Sequence, residues 1–247
     1  MDTSLYLTVT PASSLAAAVT TVGNYVINHF EGWEKQNMVH FKSFAAGVLL
    51  SVSFIHIIPK SIRMNGISPI YILAGFMALH IIRNTLRNSH PEAGKNRDLA
   101  RGMRPMLGIG FHSFVDSIIY SITFNVSIFT GALAATDMVL HEFPEGIITF
   151  LFLEEGGFDK RRAARLAFIS AVISTPLGTL ISFPILNQIS DQAVGLLLAL
   201  SAGTLIYVGA THLLPSVVRE RNRYSLITMA AGIVVAAIIL LSKGSST

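Results

Sequence analysis

The stretch that decides the fold is His141-Glu142-Phe143-Pro144-Glu145-Gly146, inside an apolar segment that runs from about Ile128 to Leu153. Three ionisable side chains and a proline lie where a membrane helix normally carries Leu or Val. An ionisable residue at the bilayer centre costs about 2.5–3.5 kcal/mol on insertion scales, and it usually marks a functional site. A second stretch, His112-Ser113-Phe114-Val115-Asp116, repeats the order His, Phe, carboxylate. The two stretches together are the candidate functional centre.

The composition indicates a chain that lives in a lipid bilayer. Of its 247 residues, 51% are hydrophobic and 13% are charged, and soluble domains carry about 25% charged residues. The mean hydropathy is +0.58. The net charge of +4 comes from basic residues between apolar runs, which favours cytoplasmic loops and excludes a nucleic-acid partner. The chain has no cysteine, so thiolate metal ligands are excluded as well.

Eight apolar segments approach the roughly 20 residues that a helix needs to cross the hydrocarbon. We therefore predict an all-α polytopic membrane protein with one transmembrane domain over residues 1–247. The predicted spans are residues 5–27, 44–62, 69–86, 106–124, 128–153, 166–186, 194–214 and 226–241.

The distribution of Lys and Arg predicts the orientation of these spans. With the N-terminus outside, the loops after spans 1, 3, 5 and 7 hold fifteen basic residues, and the outer side holds three. The positive-inside bias therefore predicts that both termini lie outside the cytoplasm. We expect the protein to reside in the plasma (inner) membrane. The longest connection, residues 88–104, is polar and is predicted to be a flexible cytoplasmic loop.

Two internal repeats relate the spans to one another. Spans 2 and 7 share seven identities at an offset of 156 residues: Ala46, Gly47, Leu49, Val52, His56, Pro59 and Arg63 recur as Ala202, Gly203, Leu205, Val208, His212, Pro215 and Arg219. Spans 4 and 5 are related at an offset of 29 residues, which pairs His112 with His141 and Asp116 with Glu145. Inverted repeats that meet at polar, interrupted helices are typical of secondary transporters.

Helical geometry brings several ionisable groups of span 5 onto one face. His141 and Glu145 differ by about 40° around the helix axis, and Asp137 lies one turn further outward on the same face. Glu142 lies about 100° away, toward a second ligand position or a neighbouring helix. Pro144 has no N–H, so one backbone carbonyl needs another partner, which suits a helix that faces other helices or a cavity.

Span 4 adds His112 and Asp116 at the same spacing, with Ser113 as a weak oxygen ligand. Neither span carries a Lys or Arg close to these carboxylates. A bound divalent ion such as Zn²⁺, Fe²⁺ or Mn²⁺ would compensate them, and imidazole with carboxylate ligands suits these metals. The alternative is a purely structural network between the two spans. His56 and His212 lie near the ends of spans 2 and 7, where they could flank an entrance and an exit.

These residues resemble the ZIP (zinc- and iron-regulated-transporter-like) metal transporters over nearly the whole chain. The most specific match is the span 5 motif from His141 to Gly146. The resemblance implies a bundle in which spans 1–3 and 6–8 are related by pseudo-symmetry around spans 4 and 5. It also implies metal transport toward the cytoplasm by alternating access, with Zn²⁺ first and Fe²⁺, Mn²⁺ or Cd²⁺ as alternatives. The metal is then a substrate and no cofactor is implied, and the sequence leaves a homodimer open.

Carried over by position, the resemblance assigns the ligand set His112, Ser113, Asp116, His141, Glu142 and Glu145. Span 4 departs from the family pattern His-Asn-x-Pro-Glu-Gly, since this chain has Ser113, Val115 and Asp116 in place of Asn, Pro and Glu. Some members place a Glu where this chain has Thr175, which weakens the case for a second, bridging metal.

Two other functions compete with metal transport. His141-Glu142-x-x-Glu145 is one residue short of the His-Glu-x-x-His zinc motif, so an intramembrane zinc metallohydrolase is the main alternative. The Glu in place of the second His, and the repeated set on span 4, weigh against it. A proton-coupled carrier of another solute is the second alternative.

Overall fold

Long helices account for nearly all of the chain. The computed structural model describes residues 3–29, 33–88, 95–126, 128–219 and 223–244, and within these ranges it contains no β-strand. Five of the eight helical rods are continuous: α1 (Thr3–His29), α3 (Ser68–Asn88), α4 (Lys95–Val126), α5 (Ile128–Glu155) and α8 (Arg223–Gly244).

The other three rods contain short irregular turns. Rod α2 comprises Trp33–Ser51, a π-helical turn at Val52–Ile57 and Ile58–Met64. Rod α6 comprises Lys160–Ala167, a π-helical turn at Phe168–Ile173, Ser174–Ser182 and a 3₁₀ turn at Phe183–Gln188. Rod α7 comprises Asp191–Val208, a π-helical turn at Gly209–Leu213 and Leu214–Arg219.

The all-α polytopic class is confirmed, with one rod for each predicted span. Within the described residues, four stretches are long and apolar enough to cross a membrane: Asn37–Met64, Gly102–Asn125, Lys160–Ser182 and Asp191–Leu213. Three shorter apolar helices are Ser13–Gly23, Ser68–Ile82 and Tyr224–Ile238. The bounds of the eight spans and the sidedness of the loops stay predictions.

The predicted loop at 88–104 is wrong in its second half, because α4 already begins at Lys95. The segment 95–104 is rich in Lys, Arg, Leu, Ala and Met, which favour helix even outside a membrane. Gly102 also lets this turn lie against the end of α5, where an added Cβ would be 2.6 Å from the carbonyl oxygen of Phe152. Local helix propensity and a close helix contact therefore outweigh the polarity of the segment.

Lys42 is one of the basic residues between predicted spans 1 and 2, which the sequence assigns to an inner loop. In the structure it is on α2 and is 4% exposed. Its ammonium group pairs with the carboxylate of Glu155 at the end of α5. It also lies 5.7 Å from the centre of the Phe152 ring, a distance that allows a cation–π contact. The ion pair ties α2 to α5.

The helix contacts of one half recur in the other half, in line with the pseudo-symmetry that the family resemblance implies. Rod α2 packs on α8 as α7 packs on α3, and α1 packs on α5 as α6 packs on α4. Exchanging α1 with α6, α2 with α7, α3 with α8 and α4 with α5 converts one member of each pair into the other. The π-helical turns of α2 and α7 also coincide at the offset of 156 residues. The same irregularity therefore recurs at the same place in both halves.

Glycines at related positions make the same close contacts. An added Cβ would lie 2.2 Å from the carbonyl oxygen of Met229 at Gly47, and 2.1 Å from that of Ile72 at Gly203. Both glycines let two backbones approach, as small residues do at helix interfaces in membranes.

Rods α4 and α5 lie at the centre and pack against each other. Rod α1 also approaches α5 closely, because Gly146 has no Cβ: one added there would lie 2.6 Å from the carbonyl oxygen of Thr20. This contact brings the Thr20 side chain to the level of the His141–Gly146 motif.

Candidate metal site

The six predicted ligands on α4 and α5 are all buried. None is more than 4% exposed: His112, Ser113, Asp116, His141, Glu142 and Glu145. The spacing of four residues puts the His and the carboxylate of each helix on one face, and α5 remains helical through Pro144. The two polar faces meet where α4 and α5 pack together.

Imidazoles and carboxylates of the two helices contact each other directly. The Nε2 atom of His141 is hydrogen-bonded to Oδ2 of Asp116 at 2.8 Å. The Nε2 atom of His112 lies 3.5 Å from the same Oδ2 and 3.3 Å from Oε1 of Glu145. The two imidazole rings are 5.5 Å apart between centres. Asp116 therefore links both histidines.

Three of these side chains already offer a metal-ligand geometry. The donor atoms of His112, His141 and Glu145 lie within 4.8 Å of one another. Two imidazole nitrogens and a carboxylate oxygen are a common ligand set for Zn²⁺, and they also suit Fe²⁺ and Mn²⁺. Asp116 contacts both histidines and is placed to add a fourth oxygen.

Ser113 and Glu142 contact the site in different ways. The Ser113 hydroxyl donates to Oε2 of Glu145 at 3.2 Å, so it orients a ligand. The Glu142 carboxylate faces the neighbouring helices, where it accepts hydrogen bonds from Thr20 and Thr175, each at 3.2 Å. Of the two orientations that the sequence left open for Glu142, the structure has the one toward neighbouring helices.

The sequence did not identify Thr20 and Ser201. Thr20 on α1 contacts Glu142, and the Oγ atom of Ser201 on α7 lies 2.7 Å from Nδ1 of His112. Both hydroxyl residues are fully buried. A Ser or Thr within an apolar span is a weak indication of a functional site in the sequence, because its hydroxyl commonly bonds to a carbonyl of its own helix.

The three residues predicted to accompany the site along the transport pathway, His56, Asp137 and His212, lie at different distances from it. His56, half-buried in the π-helical turn of α2, is within electrostatic range of Asp116. His212 contacts the rings of Tyr207 and Phe152, whose centres are 5.4 and 5.7 Å away. Phe152 lies eleven residues beyond His141 on α5, which corresponds to roughly 16 Å along the helix. The side chain of Asp137 lies outside the described part of the structure.

Comparisons with known proteins give a family match and several relatives. The family profile described as ZIP zinc transporter matches residues 83–240, which include both site helices. The chain is 25% identical over 223 residues to zinc transporter ZIP13 of Pongo abelii, with 81% of this chain and 66% of the relative covered.

Two further relatives come from a bacterium and a yeast. Zinc transporter ZupT of Clostridium perfringens is 27% identical over 143 residues, covering 45% of this chain and 50% of the relative. Zinc transporter YKE4 of Saccharomyces cerevisiae is 25% identical over 216 residues, covering 72% of this chain and 60% of the relative. The chain thus spans between half and about two thirds of the length of these relatives.

Proposed function

The chain belongs to the ZIP family of zinc transporters, and on that premise we propose that it carries a divalent transition-metal ion toward the cytoplasm through the site between α4 and α5. Zn²⁺ is the first choice of substrate, because the relatives are named zinc transporters and the ligand set suits that ion. Fe²⁺, Mn²⁺ and Cd²⁺ are the alternatives.

The observation that carries the proposal is the buried cluster of His112, His141 and Glu145, with donor atoms within 4.8 Å of one another. Asp116 adds a second carboxylate that contacts both imidazoles. Buried carboxylates need a compensating positive charge, and the contacts described for these two are with histidines and a hydroxyl. A metal cation satisfies that requirement.

The chemistry of these ligands suits an ion that must be released again. Imidazole and carboxylate coordinate a metal in their deprotonated forms, so they can take up protons as the ion leaves. The site exchanges an ion more readily than a closed structural zinc site made of thiolates would.

Transport requires the site to open first to one side and then to the other. All six residues are at most 4% exposed, so we expect helices to move before an ion can reach the site from either side. We expect α4, α5 and the helices packed on them to move against the rest, as in transporters built from inverted repeats. His56 near one end and His212 near the other are placed to contact the ion as it enters and leaves.

The metallohydrolase alternative finds no support. The family is one of transporters rather than enzymes. Glu142, which would act as the catalytic base, accepts hydrogen bonds from Thr20 and Thr175. A base held in this way by two neighbouring helices is poorly placed to activate a metal-bound water.

Zn²⁺ uptake into liposomes that contain the purified full chain tests the proposal. We expect saturable uptake that is abolished by His141→Ala and retained by His80→Ala. His80 is the matched control, because it lies on α3 and makes none of the site contacts described above. Absence of uptake by the wild type, or full uptake by His141→Ala, would contradict the proposed function.

The proposed location and orientation have a test of their own. We propose that the protein resides in the plasma membrane with both termini outside the cytoplasm. The chain has no cysteine, so a single cysteine added near either terminus is the only thiol. We expect a membrane-impermeant maleimide to label it on intact cells. A cysteine in place of Lys160, in a predicted inner loop, serves as the control and should react only after lysis.

A further inference from the structure

We infer that Ser201 on α7 is a positioning residue, which partners Nδ1 of His112 and thereby directs Nε2 of that imidazole to the metal. The inference rests on the proposed function and concerns the same site. Ser201 lies 89 residues beyond His112 and on a different rod, so the contact between them exists only in the folded bundle.

The geometry of the contact is that of a strong neutral hydrogen bond. The Oγ atom of Ser201 and Nδ1 of His112 are 2.7 Å apart, and both side chains are at most 1% exposed. At this burial no bulk water competes for the imidazole nitrogen. Loss of the hydroxyl would remove this partner from a buried ring nitrogen, which water cannot replace at this burial.

A hydroxyl suits this position because it both donates and accepts. When metal is bound, Nε2 must present its lone pair, so the imidazole proton is on Nδ1 and is donated to Ser201 Oγ. The Ser201 hydroxyl could equally donate to Nδ1 in the other tautomer, in which the ring proton is on Nε2, 3.3 Å from Oε1 of Glu145. One hydroxyl can therefore partner either tautomer of the imidazole.

The repeat provides an internal contrast. The α2 residue related to Ser201 by the offset of 156 is Ala45, which has no polar side-chain atom. The other histidine of the site, His141, instead uses its Nε2 for the hydrogen bond to Asp116. The orientation of His112 thus depends on a contact with a helix outside the α4–α5 pair.

The test compares Ser201→Ala, Ser201→Thr and Ser201→Val in the purified full chain. Zn²⁺ affinity is measured by competition with a chromophoric chelator, and the concentration dependence of Zn²⁺ uptake is measured in liposomes. We expect Ser201→Ala and Ser201→Val to weaken binding about 10–100-fold, the range for loss of an outer-shell partner of a metal ligand. The KM for uptake should rise accordingly while the maximal rate changes less.

Ser201→Thr keeps the hydroxyl and should bind close to the wild type, and Thr against Val compares two side chains of nearly equal size. If Ser201→Ala folds poorly, the difference in Zn²⁺ affinity between Ser201→Thr and Ser201→Val still shows whether the hydroxyl is needed. Ser53→Ala on α2 removes a fully buried hydroxyl that donates to the carbonyl of Leu49 at 2.7 Å, so it controls for the general cost of losing one. We expect it to leave Zn²⁺ affinity unchanged.

A double-mutant cycle identifies the partner. Thermal unfolding of the metal-free protein is the readout, because His112→Ala removes a ligand: Ser201→Ala should lower the unfolding temperature of the wild type but have little further effect in a His112→Ala background. Wild-type Zn²⁺ affinity in both Ser201→Val and Ser201→Ala would overturn the inference. An equal loss of Zn²⁺ affinity in Ser201→Thr and Ser201→Val would overturn it as well. Either outcome would leave the proposed function intact. Failure of the wild type itself to bind Zn²⁺ would instead overturn the proposed function.

Discussion

The α4 half and the α5 half of the site are related by an offset of 29 residues, yet they differ in what they contribute. The α4 half provides one carboxylate, on Asp116, and it is held from outside by the contact between His112 and Ser201. The α5 half provides two carboxylates, on Glu142 and Glu145. Asp116 and Glu145 contact the histidines, whereas Glu142 faces Thr20 and Thr175 on neighbouring helices. Each helix therefore supplies one carboxylate to the cluster, and the two halves differ in what surrounds it.

The difference extends to the residue that follows each histidine. Ser113 on α4 donates to Glu145 and so supports a ligand of the opposite helix. Its counterpart Glu142 accepts hydrogen bonds from Thr20 on α1 and Thr175 on α6. Repeat-related positions have thus acquired different partners, because α4 and α5 pack against different neighbours.

Among variants of the two halves, Glu145→Gln should cause the largest loss of Zn²⁺ affinity. This carboxylate is part of the ligand cluster and also contacts His112 at 3.3 Å. Loss of a direct ligand should exceed the roughly 10–100-fold cost of losing an outer-shell partner, so we expect no measurable Zn²⁺ binding at micromolar concentrations. Isothermal titration with Zn²⁺ measures this, and thermal unfolding in detergent checks the fold. Binding near wild-type strength would remove Glu145 from the site.

Asp116→Asn should weaken Zn²⁺ binding strongly but less than Glu145→Gln does. Asp116 contacts Nε2 of both histidines, at 3.5 and 2.8 Å, and Asn retains the shape without the charge. We expect a loss of about 10–100-fold, measured by chelator competition. Asp116→Glu is the companion variant, because it keeps the charge and should retain more affinity than Asn. The reverse order would mean that side-chain length matters more than charge.

Glu142→Gln should have a smaller effect than either of these changes. The Glu142 carboxylate is held by Thr20 and Thr175, and an amide can replace it by accepting from one hydroxyl and donating to the other. We expect a change in Zn²⁺ affinity below about 10-fold, the lower limit for an outer-shell partner. A loss as large as that of Glu145→Gln would instead make Glu142 a direct ligand, and α5 would then supply two carboxylates to the metal against one from α4.

The smallest effect on Zn²⁺ affinity should come from Gly47→Ala and Gly203→Ala, which disturb the two halves equally. An added Cβ would lie 2.2 and 2.1 Å from a backbone carbonyl oxygen, so each variant should lose about 1–3 kcal/mol of stability. Thermal unfolding of both variants measures this. Gly66→Ala is the control, since nothing lies within 4 Å of its added Cβ. Unequal losses would show that the two close contacts are not equivalent.

Much of the molecule was predictable because its signals are local. Eight apolar segments correspond to eight helical rods, and an ionisable group inside an apolar run is costly wherever the chain folds. The spacing of four residues predicted that His141 and Glu145 share a face. The prediction was wrong at residues 95–104, where polarity suggested a loop but helix propensity and the contact of Gly102 with α5 extend α4.

The sequence by itself determined the helical class, the repeat and the six buried polar residues of α4 and α5, since each depends on period, composition or offset along one chain. Only the tertiary structure decided which of these six converge, that Glu142 faces Thr20 and Thr175, and that Ser201 supports His112. The physical reason is that helical periodicity determines the angle between residues on one helix, whereas the rotation of that helix against its neighbours follows from packing. The partners of Glu142 and His112 are 122, 33 and 89 residues away in the chain, beyond the reach of any local pattern.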